Sequence, residues 1–197
     1  MTPRSTLLPS LAVAGSGLIW GVWWLPLRNL EAAGLAGNWA NVAVYALAAV
    51  LTAPLAFGLG KGMAGRRRDL LIIGLLAGSS LCLWNYALLT GNIVRVTLLF
   101  YLAPVWCTAL SLIVFREPVR AVRLLTIVGG LAGAAVLVGI EAGGGSPLSP
   151  ADGMALLSSL LFACMTVYVR KVGGEVGGWE KTFFTTASAA VIALIAV

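Results

Sequence analysis

Histidine is absent from this sequence of 197 residues, and cysteine occurs only three times. Without histidine, the chain lacks the commonest ligand of protein metal sites and the usual side chain for relaying protons. Cys82, Cys107 and Cys164 all lie within apolar segments, their number is odd, and no CxxC spacing occurs. We interpret them as small apolar residues rather than as a disulfide or metal set. The sequence therefore predicts no cofactor and no metal site.

Charge is also scarce, since Asp, Glu, Lys and Arg make up 10% of the residues against about 25% in ordinary globular domains. Hydrophobic residues make up 60%, and the mean hydropathy is +0.99. The net charge of +6 comes from basic residues dispersed in short gaps between apolar runs. Nucleic acid is therefore not an expected partner, and the composition predicts an integral membrane protein in contact with a lipid bilayer.

Long uncharged runs set the predicted fold class. Between Val96 and Phe115 no residue carries a formal charge, and such a helix is about 30 Å long, the thickness of the hydrocarbon core. We interpret the first run as a retained helix rather than a signal peptide, since it continues to Leu27 without a convincing cleavage site. The sequence thus predicts an all-α polytopic membrane protein with seven spans, at about 7–27, 39–59, 70–90, 93–115, 122–140, 152–170 and 180–197.

The basic residues predict the orientation. With the N-terminus inside, eleven of the thirteen Lys and Arg residues fall on the cytoplasmic side, and only Arg28 and Arg95 fall outside. This distribution follows the positive-inside rule and predicts a multi-pass protein of the cytoplasmic membrane.

The spacing of aromatic and basic residues suggests an inverted repeat. Trp20 lies eight residues before Arg28, and Phe162 lies eight residues before Arg170. Five spans precede the linker-like segment GGGSPLSP, so a repeat of that unit would enter the membrane in the opposite orientation. We predict a five-helix repeat at 1–142, a linker at 143–150, and the first two helices of a second repeat at 151–197. Ten spans are expected in a complete protein, of which this chain would be a fragment.

Glycines spaced four residues apart occur in three predicted spans, at Gly17 and Gly21, Gly74 and Gly78, and Gly129 and Gly133. In lipid, helices associate through close packing of small residues. The pattern predicts a packed glycine face on the first, third and fifth spans.

The fourth span carries a polar stripe. Thr97, Tyr101, Pro104, Thr108 and Ser111 recur at intervals of four and three residues, and therefore share one helical face opposite Trp106. Polar groups at membrane depth face protein or a water-filled cavity. Pro104 also leaves the carbonyl group four residues back without its usual helical donor. The stripe predicts a substrate path, with interhelical hydrogen bonding and a structural kink as the alternative.

Deeply placed aromatic residues form the second candidate set. Trp20 and Trp84 could wall an amphipathic substrate together with Trp24, although core packing explains them equally well. Asn85 could donate a hydrogen bond to substrate or to a facing helix. Arg95 points away from the polar stripe and can extend to the membrane surface. No carboxylate is predicted to be buried within a span.

Two stretches resemble a known family. PVWCTALSLIVFREPVRAVRLLTIVGGLAGAAVLVG, from Pro104 to Gly139, resembles the EamA family of the drug/metabolite transporter superfamily, with Pro104 in the fourth helix, Glu117 at its cytoplasmic end and a glycine-rich fifth helix. WNYALLTGNIVRVTLLFYLAPV is similar to the bacterial aromatic amino-acid exporters of that superfamily. The resemblance implies ten helices in two inverted repeats and movement of small metabolites, commonly export.

We therefore predict a secondary transporter of small amino-acid-like or other amphipathic metabolites, working by alternating access. A non-transporting membrane scaffold or decayed transporter fragment is the alternative. A membrane enzyme is disfavoured, because the sequence offers neither histidine nor an embedded carboxylate pair. The oligomeric state is not predicted.

Overall fold

The computed structural model describes residues 4–35, 38–58, 65–116, 121–141, 149–173 and 176–197. In these residues the only regular elements are helices, which confirms the predicted class. They are α1 (Arg4–Val22), α2 (Trp24–Ala32), α3 (Trp39–Gly58), α4 (Arg67–Thr90), α5 (Ile93–Phe100), α6 (Ala103–Phe115), α7 (Ala121–Glu141), α8 (Pro150–Val172) and α9 (Gly178–Ile195).

All seven predicted spans are helical, with α1–α2 forming the first span and α5–α6 the fourth. Within the residues that the structure describes, five helical segments are long and apolar enough to cross a membrane, namely Ser10–Ala32, Trp39–Gly58, Arg67–Thr90, Ile93–Phe115 and Pro150–Val172. The predicted linker lies outside the described residues except for Ser149 and Pro150, and Glu117 lies outside them as well.

Helix α4 is the centre of the bundle, and it packs extensively against both α8 and α9. The contact with α8 includes Ser80 Oγ, which donates to the Ser158 carbonyl oxygen at 2.9 Å, while Ser158 Oγ donates to the Ser80 carbonyl oxygen at 2.7 Å. Both serines are almost fully buried. Because each hydroxyl has a backbone acceptor, α4 and α8 are locked in register near the middle of the bundle.

Glycine allows the close approach of α4 and α9. A Cβ atom on Gly74 would lie 2.6 Å from the backbone oxygen of Phe184, and one on Gly78 would lie 2.7 Å from the backbone nitrogen of Ala189. The predicted glycine face of the third span is therefore confirmed.

The same prediction is wrong for the first and fifth spans. A Cβ atom on Gly17, Gly21, Gly129 or Gly133 would meet no atom within 4 Å. In the described residues, these glycines border open space rather than a helix. The spacing alone did not distinguish the two situations, because a glycine pair marks a possible contact whether or not a partner helix is present.

The fourth span is interrupted. Helix α5 ends at Phe100, Tyr101 and Leu102 form a turn, and α6 begins at Ala103. Pro104 therefore stands in the first turn of α6, where proline is well tolerated because the first N–H groups of a helix have no intrahelical acceptor. The expected kink therefore falls at Tyr101 and Leu102, where α5 ends and α6 begins within one candidate span, Ile93–Phe115.

Candidate functional site

A cavity of about 660 Å³ lies between the first span and α5, the N-terminal part of the fourth span. We call it the tryptophan cavity, because Trp20, Trp24 and Trp84 line it together with Thr97 and Tyr101. Trp84 is almost fully buried, whereas 44% of Trp20 is exposed. The wall of this cavity thus combines a fixed indole ring from α4 with a more accessible one from α1.

A second cavity, of about 600 Å³, lies on the other side of the helix break. We call it the proline cavity, because Pro104 and Thr108 of α6 line it with Tyr101. Gly130 of α7 and Thr166 of α8 also contribute to its wall. The missing side chain of Gly130 leaves room at this wall, so this glycine widens a cavity rather than packing against a helix.

A continuous series of aromatic rings connects the two cavities. Trp20 and Trp84 have ring centroids 5.0 Å apart, Trp84 and Phe100 are 5.5 Å apart, and Phe100 and Phe162 are also 5.5 Å apart. These separations lie in the range of favourable aromatic contacts. Phe100, Tyr101 and Phe162 line both cavities. The fourth span is broken at the point where the cavities meet.

The polar groups of the walls are hydroxyls, indole nitrogens and the Cys107 thiol. Thr97 Oγ1 donates to the Ile93 carbonyl oxygen at 2.7 Å, and Thr108 Oγ1 donates to that of Pro104 at 2.8 Å, so each hydroxyl oxygen remains an acceptor. Trp84 Nε1 has no hydrogen-bond partner among the described residues. No charged side chain occurs among the described residues that line either cavity. This environment suits a largely apolar molecule with few polar groups.

Seven of the eight predicted site residues line these cavities. Trp20, Trp24, Trp84 and Thr97 belong to the tryptophan cavity, Pro104 and Thr108 to the proline cavity, and Tyr101 to both. Trp106 faces α8, where its Nε1 donates to Ser159 Oγ at 3.1 Å. Four of the five residues of the polar stripe therefore line a cavity, Ser111 lines neither, and Trp106 on the opposite face contacts α8.

The amino-acid sequence matches the EamA-like transporter family over residues 7–139. This match covers the five spans predicted for the first repeat. The chain belongs to the EamA-like transporter family. It is thus a multi-pass protein of a family of membrane transporters, which fits a small-molecule substrate and a lipid environment. No curated protein and no solved structure matches the chain significantly, and the narrower similarity to aromatic amino-acid exporters stays a prediction.

Asn85 of this EamA-like chain lies outside both cavity linings and is fully buried. Its Nδ2 donates to Asn41 Oδ1 at 2.9 Å and to Tyr45 OH at 2.6 Å, while its Oδ1 accepts from Trp23 Nε1 at 3.3 Å. Asn41 in turn donates to Asn38 at 2.8 Å. Of the two roles considered from the sequence, the structure thus has Asn85 bonded to facing helices.

An ion pair between Arg95 and Asp152 was missed at the sequence level. The Arg95 guanidinium lies 3.1 Å from Asp152 Oδ2, and only 3% of the Asp152 side chain is exposed against 19% for Arg95. Asp152 also accepts from the Ser149 N–H at 2.7 Å and completes a capping box at the start of α8. The spacing of Ser149 and Asp152 is a recognisable signal for that cap. The pair attaches α5 to the first helix of the proposed second repeat.

The expectation that no carboxylate is buried within a span is wrong at two positions. Besides Asp152, Glu180 in the first turn of α9 is 1% exposed. Neither carboxylate oxygen of Glu180 has a hydrogen-bond partner among the described residues, and the group lies against Gly177. Glu180 stands at the start of the predicted seventh span, and the packing of α9 on its neighbours encloses it.

Proposed function

We propose that this chain carries small amphipathic metabolites outward across the cytoplasmic membrane by alternating access. The observation that supports the proposal most is the meeting of two aromatic-walled cavities at a break in the fourth span. In many transporters, substrate binds near the bilayer midplane beside discontinuous helices. Trp20, Trp24, Trp84, Thr97, Tyr101, Pro104 and Thr108 would contact the substrate, whereas Asn85 would hold the wall in place.

The lining chemistry supports an amphipathic substrate class. Indole and phenyl rings offer flat apolar surfaces, and threonine hydroxyls offer acceptors. Because the described lining lacks charged groups, an amino-acid-like substrate would be recognised mainly through its side chain. The resemblance to aromatic amino-acid exporters, which stays a prediction, would agree with this substrate class.

The helix contacts support the inverted repeat that the sequence suggests. The second and seventh spans would be equivalent helices of the two repeats, and α3 makes the most extensive helix–helix contact in the described residues with α9. Equivalent helices pair with each other when they lie beside a pseudo-two-fold axis. The division at residues 143–150 and the inverted repeat belong to this proposal.

The orientation with the N-terminus inside rests on the distribution of basic residues and can be tested by labelling. After replacement of the three native cysteines, a cysteine at position 146 should react with an impermeant reagent in intact cells, and one at position 66 only in permeabilised cells. The reverse pattern would show that the orientation is wrong.

Transport itself is tested by an efflux screen of cells loaded with amphipathic metabolites, with mass spectrometry of the medium. Trp20→Ala should reduce efflux about two- to tenfold, the range expected for loss of an aromatic contact. Ile19→Ala is the matched control, because Ile19 is its neighbour in α1, is 62% exposed, and lies outside the described linings. A correctly inserted chain that exports none of the compounds would overturn the proposal and favour a membrane scaffold.

A further inference from the structure

Two of the aromatic rings stand between the cavities. Phe100 and Phe162 line both the tryptophan cavity and the proline cavity, and their ring centroids are 5.5 Å apart. Every other lining residue except Tyr101 belongs to one cavity alone. Tyr101 is 65% exposed, so its ring lies mainly at the surface. The two phenylalanine rings thus contact each other where the two cavities adjoin.

The two rings are supported differently. Phe162 belongs to α8, which is fixed to α4 by the reciprocal Ser80 and Ser158 hydrogen bonds and to α6 by the bond from Trp106 to Ser159. Phe100 is the last residue of α5, next to the turn that interrupts the fourth span. A side chain at a helix end can be displaced by a change in a few backbone dihedral angles, whereas one in the middle of a packed helix cannot.

A second contact holds α5 against α8 in this arrangement. The Arg95–Asp152 ion pair lies between the same two helices, five residues before Phe100 on α5. Asp152 is itself held by the capping box of α8. The ion pair and the aromatic contact thus stabilise one position of α5, and movement of the helix end at Phe100 would separate the rings.

We infer that Phe100 and Phe162 form a gate that divides the transport path into two successive binding compartments. A molecule in the tryptophan cavity reaches the proline cavity only after Phe100 moves away from Phe162. Closure keeps the two compartments from being continuous across the bilayer. This inference rests on the proposed transport function for its purpose, but its geometry can be tested without a substrate.

Cys107 is a native reporter for the test, because it lines the proline cavity and is absent from the lining of the tryptophan cavity. The full chain, with Cys82→Ala and Cys164→Ala, would be placed in right-side-out and in inverted membrane vesicles. A small, impermeant, cationic methanethiosulfonate would be added to each, and the modification rate of Cys107 measured by a later gel shift. With the gate intact, Cys107 should react faster from one side than from the other.

Phe100→Ala and Phe162→Ala should each raise the slower rate about two- to tenfold, the range that loss of an aromatic contact implies, and leave the faster rate unchanged. Phe100→Leu and Phe162→Leu keep most of the side-chain volume and should give a smaller rise. If an alanine variant fails to insert into the membrane, the leucine variant at the same position still shows whether the slower rate exceeds that of the parent protein. Leu98→Ala and Leu131→Ala are matched controls, since each trims the wall of one cavity only.

Three results would overturn the gate. They are equal rates from both sides in the parent protein, an unchanged slower rate in the phenylalanine variants, and an equal rise of both rates, which would indicate general loosening. A fourth result against the gate would be a rise of the slower rate by the same factor in Leu98→Ala or Leu131→Ala. Failure of the efflux screen with a normal labelling pattern would refute transport and leave the partition standing, so the two failures are distinguishable.

Discussion

Replacement of Gly78 by alanine tests the central packing of the bundle. The added Cβ atom would lie 2.7 Å from the Ala189 backbone nitrogen and 3.0 Å from the Ser188 Cβ atom. Carbon atoms in favourable contact are about 3.5–4.0 Å apart, so α9 would have to move by nearly 1 Å. The obstructing atoms are largely backbone, and therefore no rotamer change removes the overlap. Overpacking of this kind costs about 1–3 kcal/mol.

Alanine also gains about 0.5–1 kcal/mol over glycine inside a helix. We therefore expect a net loss of up to about 2.5 kcal/mol for Gly78→Ala. Gly133→Ala is the matched control, because it makes the same chemical change in α7, where the added atom meets nothing within 4 Å. That variant should be stabilised by about 0.5–1 kcal/mol.

The free energy of unfolding of both variants can be measured in mixed micelles of dodecyl maltoside and increasing sodium dodecyl sulfate, followed by far-UV circular dichroism. The informative result is the opposite sign of the two changes, which does not depend on the absolute stability. If Gly78→Ala is as stable as Gly133→Ala, the close approach of α4 and α9 is not the contact that the structure indicates.

Three further substitutions test the buried polar groups. Asp152→Asn should lower the free energy of unfolding by about 2–4 kcal/mol, which is less than for a wholly buried pair because Arg95 is partly exposed. In a double-mutant cycle with Arg95→Gln, simple additivity of the two changes in the free energy of unfolding would contradict the ion pair. Asn85→Ala should lower the free energy of unfolding by about 1–3 kcal/mol, because Asn41 and its neighbours lose a hydrogen-bond partner. The control Tyr86→Phe, on the exposed face, should change that free energy by no more than about 0.5 kcal/mol. Glu180→Gln should leave the free energy of unfolding at neutral pH equal or higher, since a neutral amide replaces a carboxylate that has no hydrogen-bond partner among the described residues. A clear loss of stability would reveal a partner for that carboxylate.

The candidate site was partly predictable because polar groups stand out in an apolar background. Thr97, Thr108 and Tyr101 were found through their spacing in an otherwise apolar run, and the structure has each of them in a cavity wall. Phe100 and Phe162 were not found, because an aromatic hydrocarbon side chain within an apolar helix has no pattern that separates a cavity wall from a lipid-facing surface. Only the structure shows that these two rings contact each other and line both cavities.

The sequence by itself determined the class of the protein and the positions of its spans. In the hydrocarbon core every backbone N–H and C=O group needs a hydrogen-bond partner within the protein, so an uncharged run of about twenty residues is expected to be helical. Charged residues mark the ends of such a run. Tertiary structure alone decided which faces meet. Because lipid and protein neighbours are equally apolar, hydropathy does not show which side of a span is buried. Gly78 packs and Gly133 does not, Asn85 bonds to facing helices, and Glu180 is enclosed, all because of where neighbouring helices lie.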